Sequence, residues 1–117
     1  LQLDEELIVA LHASGFEVGV ESNGTIEAPA GIDWLCISPK GAAPVVQDWG
    51  HELKLVYPQE EEEAQPERFI RLRFEHFYLQ PLDGPEREAN TRYAVDYCLA
   101  NPRWKLSTQT HKVLGFD

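Results

Sequence analysis

The sequence predicts an α/β fold, part of a (β/α) barrel with reduced helices, and three observations carry that reading. Three apolar-rich segments each stop at a proline, at Pro39, Pro58 and Pro81. Strands end this way because proline lacks the ladder donor and turns the chain out of the sheet. One of them, Ile32 to Ser38, is nearly continuous in apolar residues (Ile32, Trp34, Leu35, Cys36, Ile37), the pattern of a parallel strand buried on both faces. The connections before the fourth and fifth strands are long enough for parallel crossovers.

Taken in order, Asp4 is placed to cap a helix running to about Ser14, with Leu7, Ile8 and Leu11 at helical spacing and Gly15 where helices stop. Phe16, Val18 and Val20 then alternate with Glu17, Gly19 and Glu21, which reads as a strand. The turn residues Ser22-Asn23-Gly24 end it, so Glu21 lies at its C-terminal end. The second strand follows after about ten residues, too few for a full crossover helix, and this is why the helices are expected to be thinned. A third strand is predicted over about Glu52 to Tyr57 and a fourth over about Phe74 to Gln80. Between them the run Gln59-Glu60-Glu61-Glu62-Glu63 reads as a solvated loop or helix start rather than a metal site, because neighbouring exposed carboxylates repel. A short helix near Glu67 to Leu72 follows.

From Pro85 to about Ala100 a longer helix is expected, with Ala89, Tyr93, Tyr97 and Ala100 on one stripe and Pro102 just past its end. The final strand begins at Trp104 and alternates Trp104, Leu106, Thr108 and Thr110 on one side with Lys105, Ser107, Gln109 and His111 on the other. A wholly polar face suits the rim of a ligand site, the alternative being a solvated edge strand. Barrels of this kind bind ligands at the C-terminal ends of their strands. Glu21, Ser38, Lys40, Gln80 and the tail residues are therefore expected to converge there.

Composition narrows the function. The 117 residues suffice for one domain. Ten basic against twenty acidic residues, a net charge of -10, argue against a nucleic-acid surface and for small ligands. Cys36 and Cys98 are too few and too far apart for a zinc or iron-sulfur motif within the chain, and read as reduced thiols of a cytosolic protein. No apolar run approaches the roughly 20 residues of a membrane span. The absence of methionine leads us to expect that Leu1 is not an unprocessed start and that the chain is processed or part of a longer protein.

The motifs Glu21-Ser22-Asn23-Gly24-Thr25, Ser38-Pro39-Lys40, Glu52-Leu53-Lys54, Leu79-Gln80-Pro81 and Leu106-Ser107-Thr108-Gln109-Thr110-His111-Lys112, in this order and covering nearly the whole chain, resemble the C-terminal half of the 7-carboxy-7-deazaguanine synthase family. The resemblance implies a radical S-adenosylmethionine barrel, residues 1–117 being the C-terminal portion of its core domain. It further implies a cytoplasmic homodimeric lyase of queuosine and deazapurine biosynthesis, using a [4Fe-4S] cluster, S-adenosylmethionine, Mg2+ and a flavodoxin-like reductant. The substrate would be 6-carboxy-5,6,7,8-tetrahydropterin, rearranged with loss of ammonia to 7-carboxy-7-deazaguanine. The three-cysteine cluster motif and the magnesium ligand of the family would lie before Leu1, so this chain would hold parts of two ligand sites and no cluster.

On the same resemblance, Glu21 would accept two hydrogen bonds from the amino-pyrimidinone edge of the pterin, since a carboxylate matches two adjacent N–H donors. A surface carboxylate at a turn is the plainer reading. Gln109, His111 and the terminal carboxylate of Asp117 would close over the substrate, while Ser38, Lys40 and Gln80 would hold S-adenosylmethionine. The plainer reading of Gln80 is a strand-end amide capping the loop backbone. Asn23 and Gly24 read as turn geometry, and Glu52 and Lys54, on one side of their strand, could pair with each other. A cluster-free module that binds a pterin or nucleotide without turnover, or that serves only for interaction, is the rival class. A related radical enzyme with another substrate is a third.

Overall fold

A computed structural model describes residues 4–107. Its five strands, β1 (Gly19–Ser22), β2 (Trp34–Ile37), β3 (Trp49–Tyr57), β4 (Arg73–Pro81) and β5 (Trp104–Leu106), form one sheet in sequence order. Every neighbouring pair is parallel. Three helices accompany them: α1 (Glu5–Ala13), a single turn α2 (Pro66–Phe69) and α3 (Arg87–Ala100). The α/β class and the thinned helices of the sequence reading are thus present: no helix lies in the β1–β2 or the β2–β3 connection. No helix among the described residues is long and apolar enough to cross a membrane.

Local chemistry explains the elements. Asp4 caps α1 by accepting a hydrogen bond from the Leu7 amide at 2.8 Å, and Ile8 anchors the helix as its buried residue. At the end of β1, Gly24 adopts φ +79° in a turn where an added Cβ would stand 2.8 Å from Ile37 Cγ2, so both the conformation and the space require glycine. The helix-free crossovers are held by an amide that no local pattern singles out. Gln47, 2 % exposed, accepts from the Ala28 amide through Oε1 and donates to the Trp49 carbonyl through Nε2. It satisfies backbone groups that a crossover helix would otherwise have satisfied internally.

The core lies on one face of the sheet. Leu35, Ile37, Leu53, Leu55, Phe77 and Leu79 pack there with Phe69, Ala94 and Trp104. Each large apolar side chain so buried contributes about 1.5–3 kcal/mol relative to exposure.

Several boundaries differ from the sequence reading. β1 begins at Gly19 rather than Phe16, whose side chain is 61 % exposed. β3 begins at Trp49 rather than Glu52 because Trp49 and Gly50 pair with Arg73 and Phe74 of β4. The short helix shrinks to one turn at Pro66–Phe69 and is preceded by a 3-10 turn at Glu62–Ala64 within the acidic run. In α3 the inward stripe is Asn90, Ala94, Tyr97 and Cys98, while Tyr93 is 58 % exposed and Ala100 is also exposed. β2 is buried at Leu35, Cys36 and Ile37, but Trp34 stays 42 % exposed at its start.

Candidate functional site

The face of the sheet opposite the core is polar, and strand register builds it. Glu21, Cys36, Glu52 and His76 are successive partners across β1 to β4 and form one row. Two residues further along the strands, Lys54, Tyr78 and Lys105 form the next row. Ser38 continues β2 past Ile37 and its amide donates to the Ser22 carbonyl at 2.8 Å. Residues i and i+2 share a face of a strand. The polar residues of motifs far apart in sequence therefore meet on one surface.

Glu21 is the hub of that surface. Its Oε1 accepts a hydrogen bond from Ser38 Oγ at 2.9 Å and lies 3.1 Å from Lys54 Nζ. Burial pushes the carboxyl upward, but the hydrogen bonds from Ser38 and Lys54, and the charges of Lys54 and Lys40, outweigh it and hold Glu21 below its ordinary value. Glu21 thus stays ionised, as an acceptor for N–H donors must. Next to it, Cys36 is buried, and its thiol is pushed up to about 12 by burial and by the Glu52 and Glu21 carboxylates. It is a packed neutral group rather than a nucleophile.

Glu52 and Lys54, whose roles the sequence leaves open and which could pair with each other, instead take different partners. Lys54 reaches across to Glu21, and Glu52 accepts from Trp34 Nε1 at 3.1 Å. Trp34 also stacks on His51 with ring centroids 4.9 Å apart, and the His51 Nδ1 accepts from the Leu35 amide at 2.8 Å. The pairing of Lys54 with Glu21 left no local signal, because the two residues lie 33 positions apart and meet only through the registers of β1, β2 and β3. Asn23 serves turn geometry, as read from the sequence: its Oδ1 accepts from the Thr25 amide and hydroxyl.

Ser38 and Lys40 follow the C-terminal end of β2, and Gln80 lies near that of β4, paired in register with Val56. Lys40 borders an open cleft of about 400 Å³ whose lining also includes Pro39, Gly41, Val56, Pro58 and Gln59, a volume within the range of small-molecule sites. The carboxylates Glu60 and Glu61 complete one side of it. Glu21, Ser38 and Lys40 are thus brought together at the strand ends. Gln109, His111 and Asp117, with the polar tail from Thr108 onward, lie outside the described residues.

The donors for a metal or cluster do not fit. Among the described residues no group of three or more His, Cys, Asp or Glu could hold a metal ion. The two cysteines also lie on opposite faces of the sheet: Cys36 shares the row of Glu21, and Cys98 belongs to the α3 stripe packed on the core.

No family model matches the chain. Curated proteins do. The 7-carboxy-7-deazaguanine synthase of Caulobacter vibrioides is 66 % identical over 115 residues, that of Bradyrhizobium diazoefficiens 63 % and that of Bordetella pertussis 62 % over the same length. Each alignment covers 98 % of this chain and 54 % of the relative, so the chain spans about half the length of the curated relatives it matches. At such identity over nearly all its residues, the chain belongs to the 7-carboxy-7-deazaguanine synthase family.

Proposed function

We propose that this chain is the C-terminal portion of a 7-carboxy-7-deazaguanine synthase, acting within the complete protein on 6-carboxy-5,6,7,8-tetrahydropterin in deazapurine and queuosine biosynthesis. The observation that carries the proposal is the 66 % identity over 115 residues to a protein of that name. The arrangement around Glu21 supports it: an ionised carboxylate at a strand end is the acceptor that the amino-pyrimidinone edge of a pterin requires. The five parallel strands in sequence order would be part of a radical S-adenosylmethionine barrel, with the polar face turned to its interior.

In this reading S-adenosylmethionine and the [4Fe-4S] cluster supply the radical chemistry, with Mg2+ supporting the rearrangement. Cys36 and Cys98 do not suit the cluster, so its ligands and that of Mg2+ are assigned to the length of the relatives that this chain does not span. The residues present have binding and orienting tasks. Glu21 fixes the pterin by its N–H edge, and Gln109, His111 and Asp117 close over it. Lys40 and Gln80, beside the strand ends, hold S-adenosylmethionine. Ser38 bridges the two groups, since its hydroxyl donates to Glu21 and retains lone pairs that can accept from the cofactor. The complete protein is taken as a cytoplasmic homodimer served by a flavodoxin-like reductant.

The test is to express the complete protein, reconstitute it with iron and sulfide under anaerobic conditions, and supply S-adenosylmethionine, reductant and the carboxy-tetrahydropterin. Formation of 7-carboxy-7-deazaguanine is expected. A protein that takes up no cluster and consumes none of the pterin would overturn the proposal.

A further inference from the structure

We propose that Lys54 is a positioning residue for ligand recognition by Glu21: with Ser38 it pins the carboxylate oxygen Oε1 and leaves Oε2 as the leading oxygen for the bound ligand. This rests on the reading of Glu21 as the pterin contact.

Three features of the structure carry it. First, the two partners come from different parts of the sheet, Ser38 from the end of β2 and Lys54 from β3, yet both meet the same oxygen, at 2.9 and 3.1 Å. A side chain with three rotatable bonds, carried on a four-residue strand at the sheet's edge, is thereby held in one orientation before any ligand arrives. The rotamer freedom is lost on folding rather than on binding. Second, Lys54 is well shielded, its side chain only 15 % exposed, so its charge is screened far less than that of a surface lysine. Third, among the described residues Lys54 forms an ion pair with Glu21 alone, while Glu52 on the same strand accepts from Trp34 Nε1.

The other groups facing Glu21 are consistent with the division of roles. Cys36 on β2 is neutral, Lys40 beyond β2 acts on Glu21 through its charge, and Glu52 on β3 lies in the same row on the far side of Cys36. Lys54 and Ser38 supply the hydrogen bonds. Oε1 thus already holds two contacts, which favours a ligand whose strongest donor meets Oε2 while a second N–H makes a weaker, shared contact at Oε1.

The experiment compares Lys54→Met and Lys54→Arg in the complete enzyme, with Ser38→Ala as a second way to remove a bond to Oε1. Two readouts are taken: steady-state kinetics with the carboxy-tetrahydropterin across pH, and the titration of the Glu21 carboxyl by 13C NMR without substrate. Lys54→Met is expected to raise KM for the pterin about tenfold while kcat changes much less, and to move both the Glu21 titration and the acidic limb of kcat/KM to higher pH. Lys54→Arg should restore most of the KM and return both pH readouts. An unmoved Glu21 titration in Lys54→Met, or an unchanged KM despite a moved titration, overturns the positioning role. If Lys54→Met does not fold, Ser38→Ala decides by the same two readouts. If the wild-type enzyme neither binds nor turns over the pterin, while Glu21 still shifts in Lys54→Met, the functional reading fails and the positioning role toward a pterin fails with it. The contact between Lys54 and Glu21 would then stand as structure alone.

Discussion

Gly50→Ala tests the packing that sets the start of β3. A Cβ built on Gly50 would stand 2.8 Å from Phe74 Cε1, 3.2 Å from Phe74 Cδ1 and 3.2 Å from the Leu35 carbonyl oxygen. The ring cannot swing away freely, since Phe74 is 5 % exposed and meets Phe77 edge-on at 6.1 Å. The carbonyl belongs to a strand and cannot move without disturbing β2. Overpacking of this kind costs about 1–3 kcal/mol. Against it stands the gain from replacing glycine in a strand, about 0.5–1 kcal/mol, so a net loss of about 1–2 kcal/mol is expected. Urea unfolding followed by tryptophan fluorescence measures it. Gly19→Ala is the control, because its Cβ would meet nothing nearer than the Trp34 carbonyl at 3.9 Å; that variant should be neutral or slightly stabilising. In a Phe74→Leu background the cost of Gly50→Ala should shrink. If Gly50→Ala is as stable as wild type, or if its cost is the same in both backgrounds, the close approach of Phe74 does not govern this site.

Leu53→Ala, in the middle of the sheet and fully buried, should lower the unfolding free energy by about 2–5 kcal/mol, read by the same urea titration. Asp33 is held below its ordinary value first by the Val18 amide at 2.6 Å and then by His12. Its contribution to stability should be complete above the unfolded value of about 4 and fade as pH falls from there through the folded one. The difference in Tm between wild type and Asp33→Asn should accordingly be constant near neutrality and close in acid; a constant difference down to pH 2 would refute it. Glu21→Gln in the complete enzyme should raise KM for the carboxy-tetrahydropterin by about tenfold or more, the loss of a charge-assisted acceptor, and unchanged kinetics would remove Glu21 from the binding site. For the thiols, iodoacetamide at pH 8 should modify Cys98 before Cys36, whose thiol is buried and pushed up to about 12; peptide mapping that finds Cys36 alkylated first would count against the burial.

Much of the fold was legible because it follows from short-range chemistry. Proline ends β2 and β3 as read, at Pro39 and Pro58, and Asp4 caps α1 through its own side chain. What escaped the sequence depends on residues far away. The extension of β3 back to Trp49 passes through a glycine that discourages a strand assignment, and it is explained only by a phenylalanine 24 residues on. The phase of α3 differs from the sequence reading because two of its tyrosines suggest an inward stripe. The sheet accepts the small Ala94 at closest approach, with Asn90 donating to the Leu82 carbonyl, and leaves Tyr93 outside. Gln47 gave no signal at all, since the need for its amide arises only once two crossovers have been built without helices.

The site divides along the same line. Individual residues with ligand chemistry could be placed at strand ends from local patterns, but their connections to one another could not. The family resemblance implies a cofactor contact for Ser38 and a substrate contact for Glu21, two separate assignments. The parallel register of β1 and β2 joins them at 2.9 Å, and that of β2 and β3 adds Lys54. A carboxylate, a hydroxyl and an ammonium sharing one oxygen cannot be altered singly: removing any one leaves the others partly buried with an unmet hydrogen bond. On the proposed assignments, changes intended for the cofactor side of the site will therefore reach the substrate side through Ser38, and assays of variants here need both ligands titrated before a residue is assigned to either.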